Sequence, residues 1–367
     1  MMKYKVAIIG CGRISYKHVE GFINNVEGVD LVALCDPSVD KMDARVEQYT
    51  NAVPGATIKK FLSYKEMLSS MDLDFVTIAT ESGLHAGITI DCLNAGVHVI
   101  VEKPMALSTS DAEAMVKCAK DNNKKLAVCF QNRFNAPIVK TREAFESGRL
   151  GRLMHSSVQV RWNRNIDYYK QADWRGTWDI DGGTLMNQCT HGIDLLQWMN
   201  ETDVVKVHAV TRRFQRPIEA EDFGCAILEF ADGSVGMVEG TANVYPKNLN
   251  ESLSLFGTDG TIVIGGLAVN KFETWRLKDS DIVGDTEDKV IDPNAKDPDS
   301  VYGKGHGALF ADFIDAIKNN REPLTNGAES KKALEIILAI YKSQKDGKPV
   351  ELPLDFSTSE MKGVFSE

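Results

Sequence analysis

The chain has no Cys-x-x-Cys pair, no internal repeat and no low-complexity tract. It also has no apolar run approaching the ~20 residues that a membrane-spanning helix needs. Its seven cysteines, Cys11, Cys35, Cys92, Cys118, Cys129, Cys189 and Cys225, are scattered. That usage excludes zinc-ribbon and thioredoxin-type motifs. It reads as reduced, mostly buried thiols in a cytosolic protein. The early run Val6–Ile9 is too short for a signal-peptide core, so a soluble, cytoplasmic chain is expected. Positive charge is scarce as well: 42 Lys and Arg stand against 52 Asp and Glu, a net charge of −10. Proteins that neutralise nucleic acid carry the opposite bias, so neither nucleic acid nor an anionic membrane is an expected partner. A small anionic ligand is not excluded, because local and net charge are separate quantities.

What is present is ordinary globular composition, 43% apolar and 26% charged, over 367 residues. That length predicts two domains. In the first third, short apolar runs at Lys5–Ile9, Asp30–Cys35, Phe75–Ala79, Val97–Val101 and Lys125–Phe130 read as buried strands. Helical patterns lie between them at Ser15–Asn25, Val39–Gln48, Gly83–Asn94 and Ser108–Asn122. This alternation predicts an α/β Rossmann-type domain, a doubly wound parallel sheet, over residues 1–127. Beyond it the strands alternate in polarity, with Asp232-Gly233 and Asp259-Gly260 as hairpin turns. Residues 128–367 therefore read as an α+β domain with a large open, mainly antiparallel sheet. Its helices are expected at about 135–147, 189–199, 306–319 and 327–343. Lys278–Lys304 is polar, carries two prolines and reads as a long surface loop.

Three blocks carry chemistry. Gly10-Cys11-Gly12-Arg13-Ile14-Ser15 joins the first strand to the first helix. Gly10 permits the tight turn, Gly12 lets a pyrophosphate reach the backbone, and the helix start offers free N–H groups. Serine takes the place of the usual third glycine. Asp36 ends the second strand, where a carboxylate accepts from ribose hydroxyls and repels a 2′-phosphate, which favours NAD over NADP. Glu102-Lys103-Pro104 follows another strand, so Lys103 stands on the ligand-binding edge of the sheet, where a cation stabilises a developing alkoxide. Pro104 pins that loop, in a cis or a trans form.

The second block runs from Asp181-Gly182-Gly183 to Gln197-Trp198. Asn187 and His191 are spaced i, i+4 and share a helix face if the helix begins by Asn187. His191 is a natural general base near neutral pH. No second His or Cys stands at metal spacing around His191 and Asp194, so no metal ion is expected. The third block, Arg161 to Trp178, alternates Arg161, Arg164 and Arg175 with aromatics and amides. It suits a loop that stacks on a sugar or base and pairs with phosphate or carboxylate, or alternatively a subunit contact.

Together these blocks resemble the glucose–fructose oxidoreductase, inositol dehydrogenase and MocA family over nearly the whole chain. The resemblance also rests on Ala79-Thr80-Glu81-Ser82-Gly83-Leu84-His85, on Phe130-Gln131-Asn132-Arg133-Phe134-Asn135 and on the C-terminal Ala339-Ile340-Tyr341-Lys342-Ser343. It implies an NAD-dependent dehydrogenase whose catalytic residues are Lys103, His191 and Asn187. It assigns NAD binding to Gly10, Gly12, Arg13, Ile14, Asp36, Thr80, Ser82, His85, Glu102, Lys103, Gln131, Trp174 and Arg175. Substrate falls to Arg161, Arg164, Tyr168, Tyr169, Asn187 and His191. Many members carry aspartate where this chain has Asn187. With the Tyr168–Trp178 loop, that departure resembles one subgroup, the UDP-N-acetyl-glucosaminuronate 3-dehydrogenases of O-antigen and lipopolysaccharide sugar synthesis. The subgroup implies a UDP-sugar substrate, oxidation at C3, 2-oxoglutarate as the acceptor that reoxidises NADH, and a homodimer or homotetramer. Alternatives are another sugar of the same family, UDP-N-acetylglucosamine or inositol, or a nucleotide-binding regulator without activity. Lys103 is the other candidate for the base.

Overall fold

The structure, a computed structural model, describes residues 3–278, 297, 303 and 305–365. It divides into two compact units: Met1–Ala106, Ser110–Phe130 and His306–Lys331 form one, and Leu107–Thr109, Gln131–Gly305 and Lys332–Glu367 form the other.

The chain opens with β1 (Tyr4–Ile9), α1 (Ser15–Asn24), β2 (Val29–Cys35), α2 (Val39–Ala52), β3 (Lys59–Phe61), α3 (Tyr64–Ser70) and β4 (Phe75–Ile78). It continues with α4 (His85–Asn94), β5 (His98–Val101), α5 (Thr109–Asp121) and β6 (Leu126–Val128). The strands form one parallel sheet in the order β3-β2-β1-β4-β5-β6. This is the expected Rossmann arrangement, and its order reverses between β1 and β4. Strands covered on both faces need no polar alternation. Accordingly Val6, Ala7 and Ile8 of β1, and Val99, Ile100 and Val101 of β5, are fully buried. The short β3 and α3 were not expected; β3 is only three residues long, two of them exposed lysines.

The second series is α6 (Ala136–Glu146), β7 (Leu153–Arg161), α7 (Ile166–Tyr169), α8 (Thr184–Asn187), α9 (Thr190–Asn200), β8 (Val204–Arg212) and β9 (Phe223–Phe230). Then follow β10 (Val235–Thr241), β11 (Asn250–Gly257), β12 (Gly260–Gly265) and β13 (Lys271–Leu277). The chain ends with α10 (His306–Asn319), α11 (Gly327–Asp346) and β14 (Val350–Glu351). These strands form an eight-stranded sheet, β13-β12-β11-β7-β10-β9-β8-β14, antiparallel except where β7 and β10 pair parallel. The hairpins at Asp232-Gly233 and Thr258-Asp259 join β9 to β10 and β11 to β12. The strand β13 extends the sheet beyond the last strand the alternation suggests. The surface loop expected over Lys278–Lys304 lies outside the described residues, apart from 278, 297 and 303.

One face of this sheet is covered by α9. Every residue of α9 except Trp198 is buried. A Cβ on Gly192 would stand 2.6 Å from the Val158 side chain, so the missing side chain is what lets the helix lie close on β7.

His306–Lys331, which the sequence reading places in the second domain, belongs to the first unit. The Phe310 ring of α10 lies 5.0 Å from Phe22 of α1, and Phe313 lies edge-on to Phe75 at 5.4 Å. Asn25 Nδ2 donates to the Gly307 carbonyl at 2.9 Å. Burying this apolar face on a remote helix leaves no local signal in the sequence.

Candidate active-site residues

The order reversal in the first sheet brings the ends of β1 and β4 together. Gly10 has φ +91°, and a Cβ there would stand 2.6 Å from the Ala79 backbone. Only glycine fits. Nothing stands within 4 Å of a Cβ placed on Gly12, so the space the motif reserves for a phosphate is open. Ser15, at the third-glycine position, is fully buried and donates its hydroxyl to the Gly12 carbonyl at 2.7 Å. That bond accounts for the serine: it ties the turn to the first turn of α1. Asp36 is buried just past β2, with Oδ2 accepting from Cys11 N–H at 2.7 Å and Oδ1 from Ser38 N–H at 2.8 Å. Each carboxylate oxygen keeps a second lone pair for a ribose hydroxyl. Loop, helix start and acid thus fit a dinucleotide. Arg13 is exposed and Ile14 half-buried at the start of α1.

The Lys103–Pro104 bond is cis. Its loop is held from two sides. The buried His85 sets Nδ1 2.7 Å from the Pro104 carbonyl and Nε2 3.2 Å from the Thr80 carbonyl. Burial lowers the pKa of His85, against the two carbonyl contacts, which favour the protonated ring. Glu102 accepts from His18 Nε2 at 2.9 Å and from Lys103 N–H at 3.2 Å. Burial opposes its ionisation and is the largest single influence, but the His18 hydrogen bond together with the electrostatic pull of His18, His306 and Lys103 outweighs it and brings the carboxyl down to about 2. Burial, and then Glu102, push the Cys129 thiol well above its ordinary range. His18, Glu102 and Cys129 offer ligand atoms within 4.8 Å of one another. They come from three separate elements, and the sequence holds no spacing that could have revealed them. Thr80 is half-buried and Ser82 buried, on the turn that follows β4.

In the second unit, His191 is the second residue of α9 and is 7% exposed. The side-chain amide of Gln131 lies 3.3 Å from its Nε2. Asn187 closes α8, and Gln188 and Cys189 continue in helical conformation into α9. The expected i, i+4 relation therefore crosses a junction of two helices. Asn187 Nδ2 donates to Asp181, and its Oδ1 accepts from Gln188 Nε2 at 2.9 Å and from the Tyr168 hydroxyl at 3.5 Å.

The Arg161–Trp178 block separates in the fold. Arg175 donates to the Tyr168 hydroxyl at 2.8 Å, and its guanidinium stands 4.4 Å from the Tyr168 ring and 4.6 Å from Trp174. Arg164 lies 4.8 Å from Trp162 and 5.2 Å from Tyr168. Two cations thus share one aromatic ring, at about 0.5–1 kcal/mol each where exposed. Tyr169 is buried with its ring perpendicular to Tyr168. Arg161 is elsewhere: it makes a two-point pair with Glu239 of β10, Nε to Oε1 at 2.7 Å and a terminal nitrogen to Oε2 at 2.6 Å. Its charge is therefore neutralised within the sheet. Asp181 and Gln188 join the Asn187 network although sequence reasoning had not singled them out as site residues.

Two family models match the chain. The model described as the oxidoreductase family NAD-binding Rossmann fold covers residues 4–130, and that of the GFO/IDH/MocA C-terminal domain covers residues 138–263. Among solved structures, the chain is similar to the WlbA dehydrogenase of Bordetella pertussis in complex with NADH and UDP-GlcNAcA. The two are 36% identical with a TM-score of 0.84, over 97% of this chain and 99% of the other. The Chromobacterium violaceum WlbA dehydrogenase, in the same kind of complex, is 36% identical with a TM-score of 0.85, over 96% and 97%. Among curated proteins, the NAD-dependent scyllo-inositol 2-dehydrogenase of Bacillus subtilis is 22% identical, over 95% of this chain and 96% of its own length. With its phosphate loop and acidic partner in place, and with this similarity running through both units, the chain belongs to the GFO/IDH/MocA family of oxidoreductases and binds NAD through its Rossmann domain.

Proposed function

We propose that the protein is an NAD-dependent sugar dehydrogenase that oxidises the C3 hydroxyl of UDP-N-acetyl-glucosaminuronate to the 3-keto sugar nucleotide, for lipopolysaccharide sugar synthesis. The observation that carries this is the 36% identity, over almost the full chain, to a dehydrogenase solved with NADH and UDP-GlcNAcA. Two arginines stacked on Tyr168 in a protein of net charge −10 support an anionic substrate. Bound NAD supplies the acceptor for the hydride. Gly10, Gly12 and Asp36 hold it. His191 takes the hydroxyl proton, and Lys103 lowers the cost of the developing alkoxide. Asn187, fixed by Asp181 and Gln188, orients the sugar. Arg164, Tyr168 and Arg175 bind uronate or pyrophosphate, while Arg161 keeps its partner Glu239. We assign reoxidation of NADH to 2-oxoglutarate. The working form is a dimer or tetramer; the outward Met154, Val205, Ile227 and Met237 of the large sheet, all exposed, support this. Among the described residues no helix is long and apolar enough to cross a membrane.

The kinship with polyol dehydrogenases favours a second reading, a free sugar or polyol as substrate. Incubating the protein with NAD and a panel of UDP-sugars and polyols separates the two. A product two mass units lighter from the uronate alone supports the first reading. Product only from a free polyol supports the second, and no product from any sugar leaves a binding protein. His191→Ala should lower turnover at least about a hundredfold while leaving NAD affinity unchanged. Equal loss of both would remove His191 from the role of base.

A further inference from the structure

Asn187 and His191 lie on a helix pair whose first turn is held by a residue remote in sequence. Glu221 sits just before β9 and is fully buried. Its main-chain carbonyl accepts from Thr184 N–H at 3.0 Å. Its carboxyl Oε1 accepts from Leu185 N–H at 2.8 Å and from the Tyr341 hydroxyl of α11 at 3.0 Å. The first two N–H groups of α8, which a helix cannot satisfy internally, are thus both taken by one residue. Gly183 admits that residue: a Cβ there would fall 1.8 Å from Glu221 Oε2. From this fixed start the hydrogen bonds run on without a break. Asn187 N–H bonds the Gly183 carbonyl at 2.9 Å, Gln188 N–H bonds Thr184 at 2.8 Å, and the Thr190 hydroxyl bonds the Met186 carbonyl. His191 is the next residue.

We propose that Glu221 is a positioning residue that caps α8 and thereby sets where Asn187 and His191 stand. This rests on the reading of those two residues given above. The cap works as an uncharged acid. Oε2 accepts no hydrogen bond from a described residue, and a bare carboxylate oxygen in a dry interior is costly. Burial pushes the carboxyl up to about 8, against the Leu185 and Tyr341 hydrogen bonds that favour ionisation, with Asp222 adding to the rise. The titratable groups around it are Asp222, Tyr341 and Tyr169. Asp222 accepts from the N–H groups of Phe214, Gln215 and Arg216. Burial raises the pKa of both tyrosines, so both remain hydroxyls.

Hydrogen exchange on the full-length protein, read by mass spectrometry over residues 183–191, tests the cap without relying on turnover. E221L keeps volume but removes the acceptor, whereas E221Q keeps it. E221L should exchange about tenfold faster in this segment and E221Q at the wild-type rate. Equal protection in all three overturns the cap. In the NAD-linked assay with UDP-N-acetyl-glucosaminuronate, E221L should lose about tenfold or more in kcat with KM for NAD unchanged, and E221Q should recover to within about threefold. Faster exchange with kcat intact overturns the positioning role. A wild-type protein that does not turn over this substrate refutes the proposed function instead, and the exchange result still decides the cap. If E221L does not fold, the pH course decides. Protection corrected for the intrinsic rate should fall in the wild type from pH 6 to 8 and stay level in E221Q. The same course in both overturns the proposal.

Discussion

The guanidinium of Arg133 grips the carboxylate of Asp194 at two points, Nε to Oδ2 at 2.8 Å and a terminal nitrogen to Oδ1 at 2.6 Å, with both side chains almost wholly buried. The pair fastens the 131–134 turn to α9, three residues beyond His191, and two positions before Arg133 the Gln131 amide meets His191 itself. Trp198 lies 4.8 Å from the Arg133 guanidinium. Removing one partner strands a buried charge, so Asp194→Ala should cost about 3–5 kcal/mol in urea unfolding. An apolar double replacement, R133M with D194L, should recover most of that. A loss under about 1 kcal/mol from D194A would mean that the pair does not hold the helix.

Gly10 and Gly12 separate a requirement of the fold from one of the ligand. Gly10→Ala meets both a left-handed backbone and the Ala79 main chain, so it should lower stability by about 2 kcal/mol or more. Gly12→Ala meets nothing in the protein, so its melting temperature should stay close to wild type while NAD affinity falls at least about tenfold. Calorimetry of binding and thermal unfolding of both variants measure the two effects. An unchanged NAD affinity in G12A would remove Gly12 from the phosphate site.

The parallel sheet was legible because strands buried on both faces write uninterrupted apolar runs, and the phosphate loop because its glycines stand next to one of them. The site was legible only as far as its chemistry is local. Asn187 and His191 are four residues apart, a spacing that a single sequence displays, and they stand on two consecutive helices. Arg161, Arg164 and Arg175 look alike in sequence. Glu239, 78 residues beyond Arg161, separates them, because β7 and β10 run parallel side by side. His18 with Glu102, and Glu221 with Leu185, are likewise contacts made by topology. Neither pair has a spacing that a single sequence displays.

Asn187 is an amide because its partner is a carboxylate. Its Nδ2 donates to Asp181 Oδ1, and Asp181 Oδ2 is already bonded to Gly176 N–H at 2.8 Å. Asn187→Asp would set two carboxylates against each other and should destabilise the protein by about 1–3 kcal/mol. Adding D181N restores a donor, since the amide introduced there can accept from Gly176 N–H through its oxygen while giving a hydrogen to the new acid. The double-mutant cycle should therefore show a coupling of at least about 1 kcal/mol in urea unfolding. Additive losses would mean that the contact carries no energy.

Two buried groups of the first unit make stability fall on the acid side, starting from different pH values. Burial lowers the His306 pKa from 6.5 to about 3, so between those values the unfolded chain binds the proton that the folded chain refuses. Its contribution is complete above pH 6.5 and declines as pH falls to about 3, by at most about 1.4 kcal/mol per pH unit. Glu102 is lowered from 4.5 to about 2, burial being outweighed by the His18 hydrogen bond and the pull of His18, His306 and Lys103 together, so its contribution declines only between pH 4.5 and 2. Both signs favour unfolding in acid, but histidine acts first. Urea unfolding at pH 7, 5.5 and 4 should show that His306→Leu flattens the decline already above pH 5, whereas Glu102→Gln leaves that range unchanged. If both variants keep the wild-type slope from pH 7 to 5, the buried neutral His306 is not the source of the early acid loss.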